Sequence, residues 1–239
     1  MFGMSDPEQT LLQIEGYVND GRLEMSEVMA TQFTDMFLSM KKRDSVAQLM
    51  LVRGLQILCD VLILRSKYTR AVASAKVLLK QREKLTGQFQ VLGLEHNDLH
   101  RFAKASALAG KKRKAKSFFL KALKKSGGCL STAIDAVTLI PEDRKLQSLF
   151  LAYVKNSGPV IKHEQAYCLI PEGLDAVDAN QILALLSNEL FQDNQDALAQ
   201  YHKVASQINA IEQGEIAANI KLQEALHSLQ PKHDYHEYS

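Results

Sequence analysis

What this 239-residue chain lacks narrows its chemistry first. Only three cysteines occur, Cys59, Cys129 and Cys168. They are odd in number, widely spaced and set in apolar helical surroundings, which points to reduced, buried thiols rather than a disulfide framework or a metal site. The chain also lacks the ~20 uninterrupted apolar residues of a membrane span. Its longest apolar stretch, 46–64, is interrupted by Arg53 and Asp60 and keeps the periodicity of a core helix. No basic segment precedes an apolar run in MFGMSDPEQ, so no secretory signal is read and a cytoplasmic location is expected. Period-two alternation, a phosphate loop, a GxSxG elbow and a CxxC pair are all missing. The expectation is a non-enzymatic chain with no cofactor, catalytic residue or metal ligand.

What is there is helical. Hydrophobic residues make up 46% of the chain, enough for a core. Asp6-Pro7-Glu8 starts a first helix that Gly21 ends, because a capping carboxylate, a fixed φ and an early acid all suit a first turn. Ser26 is read as the cap of a second helix, and Asp44 or Ser45 as the start of a third running to about residue 64. Further helices are expected over 68–84, 97–109, 112–125, 131–140, 142–155, 160–169, 179–191, 194–209 and 214–229. The tetrapeptide LIPE at 139–142 returns at 169–172, and each proline is read as opening a new helix.

Acids disappear where bases accumulate. From 99 to 134 there are ten basic residues and no Asp or Glu: Arg101, Lys104, Lys111, Lys112, Arg113, Lys114, Lys116, Lys121, Lys124 and Lys125. Formal charge is +10 through residue 133 and −8 after it, although the whole chain carries only +2. Such polarity suits charged partners or head-to-tail association. Arg101, Lys104, Lys111, Lys112, Arg113, Lys114 and Lys116 are therefore the candidate partner-binding residues. An acidic protein segment, a nucleic-acid backbone and plain solvent are the three readings of what they face. Lys111 to Lys116 crowd the positive end of a helix dipole, at ~0.3–1 kcal/mol per exposed cation, which an acidic partner would offset.

In the same stretch, Phe102, Ala103 and Ala109 suit a first helix, Gly110 a turn, and Ala115, Phe119, Ala122 and Leu123 a second. Leu55, Leu58 and Cys59 followed by Ser66, Tyr68, Ala71, Ala75, Leu78 and Leu79 repeat the pattern; Ala197, Tyr201, Val204 and Ala205 end a third unit. This arrangement resembles the tetratricopeptide repeat. Ala71 and Ala115 lie 44 residues apart, and Ala115 and Ala197 82 apart, against a family period of about 34, so the array is irregular. The resemblance implies an all-α fold, an irregular stack of antiparallel helical hairpins forming a tetratricopeptide-like α-solenoid. It also implies protein or peptide recognition on a face built from first helices, here Gln56, Asp60, Ile63, His100, Lys104 and Ala107. The paired Asn and Lys positions of the family's carboxylate clamp are not reproduced.

His96 and His100 stand at i and i+4 with Glu95 and Asp98 beside them; the spacing allows a metal, but Asn97 or Asp98 reads better as a helix cap. Met29, Phe33, Met36, Phe37 and Met40 form a stripe with two uses: core packing, or, if exposed, an apolar partner surface such as a dimer seam or a groove for an amphipathic helix. The expected organisation is a basic N-terminal helical region over 1–130 with two tetratricopeptide-like hairpins, acidic hairpins over 131–230 packed on it, and a flexible tail over 231–239. The function expected is that of an adaptor or chaperone binding a protein or peptide with an acidic segment, in a setting such as a bacterial secretion system or another macromolecular assembly. A nucleic-acid-associated regulator using the same patch is the second reading, and homodimerisation is compatible with either.

Overall fold

The structure, a computed structural model, describes residues 6–87, 89, 95–127, 129–156 and 176–228. The described residues form ten α-helices and no strand: α1 (Pro7–Asn19), α2 (Leu23–Ser39), α3 (Ser45–Leu64), α4 (Tyr68–Arg82), α5 (Glu95–Leu108), α6 (Lys112–Ser126), α7 (Leu130–Leu139), α8 (Arg144–Asn156), α9 (Ala176–Leu186) and α10 (Gln195–Ser228), with a 3-10 turn at Glu189–Phe191 before α10. The chain divides into two units, Met1–Tyr153 and Val154–Ser239. Cys168, the second LIPE copy, the helix expected over 160–169 and the tail lie outside the described residues.

In the first unit each helix from α1 to α6 packs on the next, and α1 touches α3, α3 touches α5 and α5 touches α7. The odd-numbered helices therefore form one row of a stack of hairpins. The hairpins share a turn. A residue in the left-handed region closes α1, α3 and α5, at Gly21 (φ 73°), Ser66 (φ 57°) and Gly110 (φ 76°). In all three the next amide reaches back five residues: Arg22 N to Tyr17 O, Lys67 N to Leu62 O and Lys111 N to Ser106 O, each 2.8 Å. These turns lie 45 and 44 residues apart, and the same spacing relates Ser26, Ala71 and Ala115, all fully buried. The repeat unit is thus about 44 residues long, and α1–α2 is its first copy.

That register corrects the reading of Ser26. It sits inside α2 at the position of Ala71 and Ala115, where only a small side chain lets the hairpin's helices close, and its hydroxyl donates to the Ile14 carbonyl at 3.2 Å. Asp6 and Asp44 do cap α1 and α3, accepting from Glu8 N at 3.1 Å and Ala47 N at 2.7 Å. Pro141 does not open a helix: α8 begins at Arg144, after Asp143, whose carboxylate accepts from Lys145 N and Leu146 N at 3.1 Å each.

The core runs through α1 to α5. Leu11, Ile14, Phe33, Phe37, Leu51, Leu55, Leu58, Leu62, Leu78 and Phe102 are all buried in it. Although α3 has the length and apolarity of a membrane span, Leu51, Val52, Leu55, Leu58, Val61 and Leu62 are buried against neighbouring helices, and it is a core helix here. Gly54 lets α3 approach α2: a Cβ there would stand 2.7 Å from Phe33 Cδ1. Cys59 is fully buried, and burial pushes its thiol well above the ordinary range. Cys129, expected to be buried, is half-exposed because it precedes α7 instead of lying within a helix.

In the second unit, α9 packs against α10, with Ile182, Leu186, Phe191, Ala197, Tyr201, Val204 and Ala205 buried. The two helices expected at 194–209 and 214–229 are one, continuous through Gly214. A lone glycine costs a helix about 1 kcal/mol relative to Ala and does not by itself end it.

Candidate functional site

The basic segment forms α6. Its apolar stripe, Ala115, Phe119, Ala122 and Leu123, is 0–1% exposed and locks the helix against α5, turning the opposite side outward. Lys111, Lys112, Arg113 and Lys114 cluster at its start, all exposed, and no side chain caps that end.

The structure divides the ten cations into three groups. Arg101 is the first, and its expected role as a partner-binding residue is corrected: it is 8% exposed, and its Nε donates to both carboxylate oxygens of Asp60, at 2.9 and 3.0 Å. Burial works against the Arg101 charge, but Asp60 and Asp98 outweigh it and raise the guanidinium above its ordinary value. The second group is matched by internal carboxylates: Lys104 with Asp135 at 2.8 Å, Lys112 with Glu142 at 2.8 Å, Lys125 with Glu95 at 2.6 Å, and Lys116 with Asp143. The third group, Lys111, Arg113, Lys114, Lys121 and Lys124, is exposed and has no carboxylate partner among the described residues. Two of these cations cover aromatic rings. Lys114 Nζ stands 4.8 Å from the Phe102 centroid and Lys121 Nζ 4.7 Å from that of Phe118, the two rings being 4.4 Å apart.

A buried polar seam joins the odd-numbered helices. Asp98, 0% exposed, accepts from Gln56 Nε2 of α3 at 2.8 Å, from Arg82 Nε of α4, and from Arg101 Nη1 at 3.4 Å. It is not a helix cap, because its carboxylate points into the packing between three helices. Two residues on in α5, His100 Nε2 lies 2.7 Å from Asp135 Oδ2, and its Nδ1 lies 3.3 Å from the Thr132 hydroxyl. Burial raises Asp135, but His100 and Lys104 prevail and hold it below the ordinary carboxylate range. Both His100 nitrogens are thereby engaged by α7, away from any pairing with His96. Of the six positions expected on a recognition face, Gln56, His100 and Ala107 are buried, Ile63 is packed against the core, and Asp60 and Lys104 are held in ion pairs.

The Met–Phe stripe of α2 divides as well. Phe33 and Phe37 are 4% and 3% exposed with rings 4.8 Å apart, while Met29 and Met40 pack partly buried against the core. The packing use of the stripe prevails for these four; Met36 alone of the five is exposed.

No protein-family model and no curated protein matches the sequence. Among solved structures, a Podosopora anserina kinesin light chain-like protein with nearly identical TPR-like repeats superposes with a TM-score of 0.60 at 11% identity, over 88% of this chain and 99% of its own. The fold is a tetratricopeptide-like helical repeat. A second structure of that protein gives a TM-score of 0.57 at 11% identity and the same coverage. BtubC (BKLC) from P. vanneervenii gives 0.56 at 13%, over 84% of this chain and 80% of its own. At these identities the likeness is one of fold.

Proposed function

We propose that this tetratricopeptide-like chain is a non-enzymatic adaptor or chaperone of the cytoplasm that engages a protein partner through an acidic segment, as an accessory of a larger assembly such as a secretion system. One observation carries the reading: five exposed cations along α6, Lys111, Arg113, Lys114, Lys121 and Lys124, have no carboxylate partner among the described residues, while neighbours on the same helix do. The rigid stack beneath keeps this surface in one shape, so binding need not order the scaffold. Nucleic acid, the other polyanion, is disfavoured by the aromatics: Phe102 is buried and Phe118 half-buried, each under a lysine, so neither offers an open stacking face.

Native affinity purification at low salt, with and without nuclease, tests this reading against a Lys111→Glu/Arg113→Glu/Lys114→Glu variant. The expected result is a stoichiometric protein retained by the wild type after nuclease and lost by the variant. Retention of nucleic acid whose removal strips all bound protein would replace the adaptor reading with the nucleic-acid one, and equal retention by the variant would remove α6 from either.

A further inference from the structure

An open groove of about 870 Å³ lies between the end of α4, the first turn of α5 and the C-terminal half of α6. Its apolar lining comes from Leu79, Leu85, Leu99 and Phe118, of which Leu85 and Leu99 are buried and Leu79 and Phe118 half-buried. Charged side chains surround it. Arg82 is committed to Asp98 and Lys125 to Glu95, which leaves Lys121 and Lys124 facing the single acid Glu83. Lysines near a helix C-terminus complement its dipole, which accounts for cations at the end of α6 but not for the apolar floor beside them. Lys121 stands over the Phe118 ring, three residues away on one face of α6, so an apolar side chain seated among Leu79, Leu85 and Leu99 has a cation at the mouth of its pocket.

We propose that this groove takes a bulky apolar side chain of an acidic protein segment, with carboxylates flanking that side chain meeting Lys121 and Lys124. The inference rests on the reading of α6 as the partner-facing helix and gives the partner a pattern: a large apolar residue between acids. The volume is within the ~300–1,000 Å³ of ligand pockets, roomy enough for a side chain together with its neighbours in the segment. Of the odd helices, α5 lines the groove through Glu95 and Leu99.

Two synthetic peptides, rich in Asp and Glu and differing only in a central Leu or Ser, test it by titration at low salt, with backbone amide shifts mapping the contact. The Leu peptide is expected to bind about 10-fold or more tightly, to shift amides at Leu79, Leu99 and Phe118, and to lose affinity for a Lys121→Glu/Lys124→Glu variant. If both peptides bind equally and Lys121→Glu/Lys124→Glu weakens both, the groove is refuted while the acidic-partner reading stands. If neither peptide binds, both fall. If the Leu peptide binds more tightly but shifts amides elsewhere, the groove is likewise overturned.

Discussion

Arg101 and Asp60 tie together the first helices of two successive hairpins, the guanidinium Nε donating to both carboxylate oxygens across 41 residues of sequence. The same arginine reaches Asp98, which also accepts from Arg82 and Gln56, so α3, α4 and α5 meet at one buried carboxylate. Removing that carboxylate leaves two guanidinium groups poorly compensated in a buried site. Asp98→Ala is expected to cost about 3–5 kcal/mol of unfolding free energy, and Asp98→Asn less, since it keeps one acceptor oxygen. Urea unfolding of the two variants at neutral pH, compared with wild type, checks the order and the size.

The shared hairpin turn makes a prediction of opposite sign. Ser66 occupies the left-handed position that Gly21 and Gly110 fill in the other hairpins, and it is the one non-glycine residue with positive φ among the described residues. A side chain in that conformation costs roughly 1–2 kcal/mol, and glycine avoids it but raises the entropy of the unfolded chain, which offsets part of the gain. Ser66→Gly should therefore stabilise the fold by about 0.5–1 kcal/mol, less whatever its 3.2 Å hydrogen bond with the Tyr68 hydroxyl contributes. A raised thermal midpoint would bear this out.

Gly54 is the counterpart, a place where a side chain does harm. Its added Cβ would stand 2.7 and 2.9 Å from the Phe33 ring and 3.2 Å from Thr34 Cγ2, all within buried packing. Helix propensity favours alanine over glycine by about 1 kcal/mol, but overpacking costs about 1–3. Gly54→Ala is expected to lower stability on balance, and the Gly54→Ala/Phe33→Leu double variant to recover part of the loss by opening space. Additive effects of the two substitutions in denaturant titrations would show that the ring is not the obstacle.

Local periodicity made much of this fold legible. The stripes of α3 and α6, the caps at Asp6 and Asp44 and the turns at Gly21 and Gly110 depend on residues a few positions apart, which a helix converts directly into faces and ends. The ion pairs were not legible for the opposite reason: Lys112 finds Glu142 and Lys125 finds Glu95 over 30 residues, and Arg101 finds Asp60 over 41. Hairpin stacking brings those partners together, so Arg101 looked like its exposed neighbours although it faces inward. Aligning the turn residues at a period near 44 would have revealed the first hairpin and the role of Ser26. The preference of serine for helix starts masks its use there as a small residue.

Acid should loosen the first unit through Glu27, which links α2 to the start of α4. Glu27 is 5% exposed and accepts from Lys67 Nζ at 2.9 Å to each oxygen, from Arg65 at 2.7 Å, and from Arg70. Burial raises its pKa, but Lys67, Arg70 and Arg65 outweigh burial and set it below the ordinary 4.5. A carboxyl with a depressed folded-state pKa binds protons more readily when unfolded. Its stabilisation is complete above 4.5 and is lost as pH falls through the lowered value. Glu27→Gln should therefore be less stable than wild type at pH 7 and approach it as pH falls through the lowered value. A constant difference between the two proteins in unfolding midpoints from pH 7 to 3 would contradict that linkage.

The acidic turn before α8 sets how much of α6 is open to a partner. Glu142 and Asp143 hold Lys112 and Lys116, and both carboxyls sit below their ordinary values: Glu142 through hydrogen bonding from Lys112, Asp143 because bonds from Lys116 and from the Leu146 and Lys145 amides outweigh burial. An incoming acidic segment must compete with these internal acids for the same two lysines. In the Glu142→Gln/Asp143→Asn variant both lysines are released, while asparagine keeps an oxygen to cap α8 and stability changes little. Affinity for an Asp/Glu-rich peptide should rise several-fold at low salt and converge with wild type as salt screens the added charge. Unchanged affinity across the salt series would mean that Lys112 and Lys116 serve the hairpin alone and that the partner-facing surface is confined to the cations without internal partners.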